Sequence, residues 1–150
     1  MAADTATIHA SAVLIGPKAV LIRGPAGSGK SRLVWDLLQA AAQGALPLAR
    51  LVGDDRVHVE THTGCLLVRP AEHRAGLLEV RGLGIRRLLY EPVAAVGLVV
   101  DLAAEDAARH PQEAGEAVVA GVCLPSLVVA PGMTALPMVL AYLKSSPAGN

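Results

Sequence analysis

Eight residues constrain this chain more than any others. Gly24-Pro25-Ala26-Gly27-Ser28-Gly29-Lys30-Ser31 fits the pattern G-x-x-x-x-G-K-[ST] throughout. The pattern needs a strand before it and a helix after it, and both flanks qualify. Ala19 to Arg23 reads as an apolar strand. From Lys30 to about Ala42, Leu33, Val34, Leu37, Leu38 and Ala41 recur with the spacing of one helical face, and Gly44 follows as a stop. Such a segment is a phosphate loop (P-loop, or Walker A). Gly24, Gly27 and Gly29 let the backbone curl so that successive N–H groups point inward at phosphate oxygens. The helix N-terminus adds its positive dipole end. Lys30 brings a point charge to the β- and γ-phosphates, and Ser31 offers a hydroxyl to Mg²⁺. The implied ligand is a nucleoside triphosphate.

The rest of the chain suits one α/β domain. Its 150 residues are a single domain's length, expected to be ordered from about residue 7, with residues 1–6 frayed. Apolar residues make up 53% and charged ones 17%, too apolar for a disordered chain. Trp35, Tyr90 and Tyr142 are the aromatics, which excludes base-stacking platforms for single-stranded nucleic acid. The formal net charge is zero, so no global basic field attracts nucleic acid. Residues 1–90 nevertheless carry 11 Lys and Arg against 7 Asp and Glu, and residues 91–150 carry 2 against 6. An anionic ligand therefore belongs with the first part. Cys65 and Cys123 have no metal spacing and read as small apolar residues of a reduced, cytoplasmic protein. The N-terminus lacks the basic region of a signal peptide.

Ile8 to Ile15 and Ala19 to Arg23 read as two strands around Gly16-Pro17-Lys18. Leu48 to Val52 reads as a strand ending in Gly53-Asp54-Asp55. Arg56 to Glu60 and Cys65 to Val68 form a hairpin that makes a purely parallel sheet unsuitable. Leu77 to Val80 runs into Gly82-Leu83-Gly84. Val96 to Val100 is an apolar strand, followed by a short helix over Ala103 to Arg109. Ala117 to Leu143 holds no charge and is long enough to span a bilayer, but Pro125, Pro131 and Pro137 interrupt it. It divides into buried strands at Val118-Val119 and Leu127-Val128-Val129 and a core helix from Leu136 to Leu143. The whole reads as a P-loop α/β domain, with a mixed central sheet and flanking helices.

Asp54 and Asp55 close a strand about two dozen residues after Lys30. A strand beside the loop's own delivers carboxylates to a metal and a γ-phosphate, and phosphoryl transfer needs a group to orient the nucleophile and take its proton. Adjacent carboxylates cannot point the same way, so their roles should divide. Glu79 and Arg81, on either side of Val80, should share one face of their strand. Two classes of function remain open at this point: a phosphotransferase with its own base, and a nucleotide-dependent switch that hydrolyses slowly and moves a partner. A structural chain with a vestigial loop is disfavoured, since Lys30 and Ser31 are both intact. His58, His62, His73 and His110 lack ligand spacing and receive no role.

Five pieces in order resemble the catalytic domain of the HPr kinase/phosphorylase family, in the short form without its N-terminal domain: Ile8-His9, the loop from Gly24 to Ser31, Leu51-Val-Gly-Asp-Asp-Arg-Val57, the octapeptide Leu78-Glu-Val-Arg-Gly-Leu-Gly-Ile85, and Arg109. The octapeptide is the most specific of them. The resemblance implies an ATP- and Mg²⁺-dependent kinase that phosphorylates a serine on the phosphocarrier protein HPr. It also implies a reverse reaction, in which phosphate attacks phosphoserine to give pyrophosphate, and assembly into hexamers. By resemblance Asp55 is the general base, and the acid in reverse. Asp54 supports it or the metal, Ser31 and Glu79 bind Mg²⁺, His9 lies by the γ-phosphate, and Arg109 stabilises the transferring phosphoryl group. Two positions depart from the family. Arg32 stands where an acid is usual, in a place where the side chain can face away from the phosphates. Val128 to Pro137 holds no Lys or Arg where strongly reversible members are basic, so a weak reverse reaction is expected.

Overall fold

The computed structural model describes residues 6–104 and 115–148. Its elements are β1 (Ala6–Ile8), β2 (Ala10–Ile15), β3 (Lys18–Arg23), α1 (Lys30–Ala42), β4 (Ala49–Gly53), β5 (Val57–His62), β6 (Cys65–Pro70), β7 (Leu77–Val80), β8 (Gly84–Arg87), β9 (Ala94–Asp101), β10 (Gly115–Val119), β11 (Val122–Val128) and α2 (Ala135–Lys144). Nine strands form one mixed sheet in the order β1-β5-β6-β9-β3-β2-β4, and β11, paired with β10, also joins β9. β3, β9 and β11 run parallel, whereas β2 is antiparallel to both β3 and β4. β7 and β8 form a separate hairpin.

Side-chain alternation along β2 and β3 builds two cores. Val13, Ile15, Val20 and Ile22 face Leu33, Val34 and Leu37 of α1 and Val139 of α2. Ala10, Ala12, Ala19 and Leu21 face the other way, against Val57 and Val59 of β5, Leu66 and Val68 of β6, and Val119 and Leu124. Both helices lie in the first core, and strands that branch from β9 cover the other side. The small residues at positions 10, 12 and 19 leave room for that close strand-on-strand packing.

Several local expectations are corrected. The run from Ile8 to Ile15 is not one strand. It breaks at His9, where pairing passes from β5 to β3 and β4. Val118 lies on the outer face of its hairpin and is 66% exposed, while Val119 is buried. α2 is a surface helix in which only Val139 is fully buried. Pro137 fits in its first turn, where the missing N–H would have no partner anyway. Cys65 and Cys123 are both exposed rather than packed as apolar residues. After β9 the chain makes a turn at Ala103 (φ 54) instead of starting a helix. The rest of that expected helix, with Arg109 and His110, lies outside the described residues, as do residues 1–5. Among the described residues no helix is long and apolar enough to cross a membrane.

One ion pair ties the central strands together at the end that carries the loop. Arg23 donates from Nε and Nη2 to the two carboxylate oxygens of Asp101, at 2.7 and 3.0 Å. Both residues are paired in register and half-buried. Leu102 N–H adds a bond to the Arg23 carbonyl. Asp101→Ala is expected to cost about 1–2 kcal/mol, the scale of a partly screened, two-pronged charged contact. Urea unfolding followed by circular dichroism checks this, and an unchanged midpoint would refute it.

Candidate active site

The segment from Gly24 to Ser31 leaves β3 at its carboxyl end and turns into α1. Gly24 carries φ 155, and a Cβ there would sit 2.5 Å from Ser28 Oγ and 3.1 Å from the Leu102 carbonyl oxygen, so no other residue fits without displacement. Gly29 caps α1 in the left-handed region, at φ 102. The Lys30 side chain is buried and folds back over the segment, donating from Nζ to the carbonyls of Gly24 (2.9 Å) and Pro25 (3.3 Å). These carbonyls hold the ammonium group against the start of the loop.

The two carboxylates take different partners. Asp54 is buried and accepts three hydrogen bonds. Its Oδ1 accepts from the hydroxyls of Ser11 and Ser31, each at 2.7 Å, and its Oδ2 accepts from the Glu79 backbone N–H at 3.2 Å. A carboxylate so engaged orients the groups that donate to it. Asp55 instead has a left-handed backbone (φ 69), which bends the chain at the strand end and sends its carboxylate outward. Its Oδ1 meets His9 Nε2 at 2.8 Å and its Oδ2 meets Arg74 Nη1 at 3.2 Å. An ionised carboxylate only accepts, so Nε2 of His9 carries the shared hydrogen. Gly53 lets this corner form, because a Cβ there would lie 2.6 Å from Val57 Cγ1.

Partial burial, the largest single influence on Asp55, pushes its pKa upward. The His9 hydrogen bond and the charges of His9, Arg74 and Lys30 together outweigh burial and hold the carboxyl below its ordinary value. Asp55 is therefore ionised at neutral pH and able to receive a proton. Because its folded-state pKa is depressed, the stability its pairing contributes is present above the unfolded pKa and is lost as pH falls through the folded one. Arg74→Gln removes one of the lowering charges. The Asp55 carboxyl, followed by NMR titration, should then protonate at higher pH, and an unmoved titration would separate Arg74 from Asp55.

Lys30, Ser31, Asp55, Glu79 and Arg81 line one open cleft of about 810 Å³, together with Ala26, Gly27 and Trp35. His9 reaches it through Asp55. Glu79 and Arg81 do not share one face of a strand, although both line the cleft. β7 ends at Val80, and Arg81 sits on the three-residue turn to β8, closed by a Leu83 N–H bond to the Val80 carbonyl. Arg32 points outward, 82% exposed, and pairs with Asp36 at 3.5 Å. Ser11 and Arg74 were not singled out from the sequence. Ser11 is fully buried, and its one hydroxyl joins the two acids by donating to Asp54 and accepting the Asp55 N–H at 3.0 Å. Its sequence signal was a lone hydroxyl in the apolar run Ala10-Ser11-Ala12-Val13. Arg74 gave no signal, because it reaches Asp55 from a loop.

Among the described residues no cluster of three or more His, Cys, Asp or Glu could cage a metal by itself. The donor set present is a serine hydroxyl oriented by a buried carboxylate, with a second carboxylate on the same cleft. That suits a hard cation held by few protein oxygens, such as Mg²⁺ shared with phosphates.

Architecture and cleft define a mixed α/β domain in which the acid-bearing strand β4 is not beside the loop-bearing strand β3, as the sequence suggested, but one strand away, with β2 between them. The chain belongs to the HPr kinase C-terminal domain family, since residues 1–90 match the family model described as "HPr Serine kinase C-terminal domain". It is 39% identical over 84 residues to an HPr kinase/phosphorylase of Streptococcus thermophilus, covering 55% of this chain and 25% of the relative. It is 36% identical over 78 residues to one of Clostridium beijerinckii, covering 52% and 24%. The aligned part thus spans about a quarter of the length of these relatives. The structure of the Hpr(Ser) kinase/phosphatase from Coxiella burnetii superposes with a TM-score of 0.73 at 21% identity, over 90% of this chain and 91% of that one, and so shares the fold.

Proposed function

We propose that this domain is an ATP-dependent serine kinase acting on HPr or an HPr-like phosphocarrier protein. The observation that carries the reading is the division of labour between the adjacent acids. Asp54 is consumed in orienting Ser31, while Asp55 is ionised, accessible and on the same cleft as Lys30. A switch needs only the first of these arrangements. A transferase needs both.

In this reading residues 24–31 are a phosphate loop, and the Lys30 ammonium moves from the loop carbonyls to the terminal phosphates of ATP. Ser31 and Glu79 would hold Mg²⁺, with Asp54 orienting the Ser31 hydroxyl; the ion would supply charge neutralisation at the phosphates. Asp55 accepts the proton of the incoming serine hydroxyl as that oxygen bonds to the γ-phosphorus and the bond to ADP breaks. His9 holds Asp55 in place from the other side. Arg81, on the cleft, and Arg109 neutralise charge on the transferring group. Cytoplasmic location and assembly into hexamers belong to the same proposal. Val128 to Pro137 lacks a cation to offset the repulsion between phosphate and phosphoserine, so the forward direction dominates.

Incubation with ATP, Mg²⁺ and a purified HPr, followed by mapping of phosphoserine, tests the reading. Transfer to a single serine is expected. With serine-phosphorylated HPr and millimolar phosphate, pyrophosphate release is expected to be much slower than forward transfer. Slow ATP hydrolysis without transfer to any phosphocarrier would favour the switch.

A further inference from the structure

Two irregularities of the backbone bring the acids to Ser11. β2 and β4 pair antiparallel, with Val13 opposite Leu51 but Ala12 opposite Gly53, so Val52 is an extra residue between the two pairs. Val13 and Leu51 lie in the core that holds α1, and Ala12 and Val52 lie in the other. Gly53 faces the same way as Val52, since a Cβ there would meet Val57 Cγ1. Side chains alternate along a regular strand, so without the bulge Asp54 would follow Val52 into the strand-covered core. With it, Asp54 comes to the α1 side, beside Ser11, the one hydroxyl-bearing residue of β2. The second irregularity is at Asp55. The Arg56 N–H donates to the Asp54 carbonyl at 2.7 Å and closes a three-residue turn around Asp55, whose φ is 69. A turn of that kind with positive φ at its centre is the rare, strained form, and such strain persists only where the surroundings hold it. The Asp55 N–H is held by Ser11 Oγ at 3.0 Å.

We propose that Ser11 is a positioning residue for phosphoryl transfer, one that aims Asp55 through its backbone. The proposal deepens the kinase reading above and rests on it. A serine hydroxyl has one hydrogen to give and lone pairs to accept with. Asp54 Oδ1 takes the hydrogen at 2.7 Å and the Asp55 N–H takes a lone pair, so each bond has a fixed direction. The same Oδ1 receives the Ser31 hydroxyl at 2.7 Å. A continuous chain of hydrogen bonds therefore runs from Ser31 in the first turn of α1, through Asp54 and Ser11, to the backbone of the proton-accepting residue. His9 and Arg74 touch the Asp55 carboxylate itself, but both are exposed enough to follow it if it moves. Ser11 is fully buried in β2 and cannot follow. Without its hydroxyl the Asp55 N–H loses its partner and the strained turn is free to relax, which swings the carboxylate away from an incoming serine. Ser31 keeps its own bond to Asp54, and residues 24–31 do not depend on the turn. The signature of losing Ser11 is therefore slower turnover with nucleotide binding retained.

The test uses the full chain with Mg²⁺ and compares the wild type with Ser11→Ala, Ser11→Cys and Ser11→Thr. Single-turnover transfer from ATP to purified HPr gives the rate, and calorimetric titration gives ADP affinity. Hydrogen exchange of the Asp55 amide in the nucleotide-free chain gives a readout independent of activity. For Ser11→Ala the expected result is a loss of about 10–100-fold in transfer rate, the scale of a misplaced reacting group, with ADP affinity within about twofold of wild type. The Asp55 amide should also exchange faster. Ser11→Cys nearly keeps the volume but hydrogen-bonds weakly, and should be as slow as Ser11→Ala. Ser11→Thr keeps the hydroxyl and should recover most of the rate; where its added methyl prevents folding, the Ala and Cys variants decide. A wild-type rate in Ser11→Ala or Ser11→Cys would overturn the proposal and leave the kinase reading standing. So would a folded Ser11→Thr protein as slow as Ser11→Ala, or a parallel loss of rate and ADP affinity, which would tie Ser11 to the nucleotide site instead. A wild-type chain that transfers to no phosphocarrier would sink the kinase reading, and the role of Ser11 with it.

Discussion

Replacing Lys30 by methionine should abolish ATP-dependent transfer while the domain stays folded. Lys30 is buried over the carbonyls of Gly24 and Pro25, and methionine conserves its length and volume without the charge. The lost ammonium would leave the terminal phosphates without their principal side-chain cation, and its effect grows as charge redistributes in the transition state. A loss of about 3 kcal/mol or more is expected, at least two to three orders of magnitude in turnover. Lys30→Ala should inactivate as well, but it also leaves a void and two unpartnered carbonyls, so a fall in its stability would cloud the reading. Single-turnover transfer from labelled ATP, with thermal unfolding run beside it, decides the matter. A folded Lys30→Met protein that still transfers near the wild-type rate would refute the assignment of the loop.

Asp55→Asn should be nearly as severe, for a different reason. Asparagine keeps the shape of the side chain and can still hydrogen-bond His9, but it cannot take the serine proton. The expected loss is about 10²–10⁴ in turnover, with nucleotide affinity largely retained. Asp54→Asn provides the contrast. Asp54 accepts three hydrogen bonds and holds Ser31, so its change should weaken Mg²⁺-dependent nucleotide binding as well as turnover. If nucleotide affinity collapses in Asp55→Asn instead, Asp55 serves the metal site and the base lies elsewhere.

The proposed roles rest on contacts that differ greatly in how visible they are from the chain. The loop from Gly24 to Ser31 was legible because its glycines, lysine and serine act within eight residues. The helix after it was legible because burial of Leu33, Val34 and Leu37 imposes a 3.6-residue period. The family octapeptide was legible as a string, yet its geometry was not. Whether Arg81 ended on a strand or a turn depended on where β7 and β8 closed their hairpin.

Local sequence thus determined the loop, α1, the strand that delivers Asp54 and Asp55, and the mixed character of the sheet. These follow from short-range spacing, from turn residues and from alternation between two faces. Tertiary structure alone decided which acid is buried. It placed Ser11 and Ser31, 43 and 23 positions from Asp54, on one carboxylate oxygen, and left Asp55 to His9, 46 positions away, and to Arg74. It also broke the first strand at His9 and covered the second sheet face with strands. Hydrogen bonds and ion pairs between residues so far apart follow no period along the chain. They exist only once β2, β3 and β4 lie side by side, so the reacting cleft is a property of strand order and register.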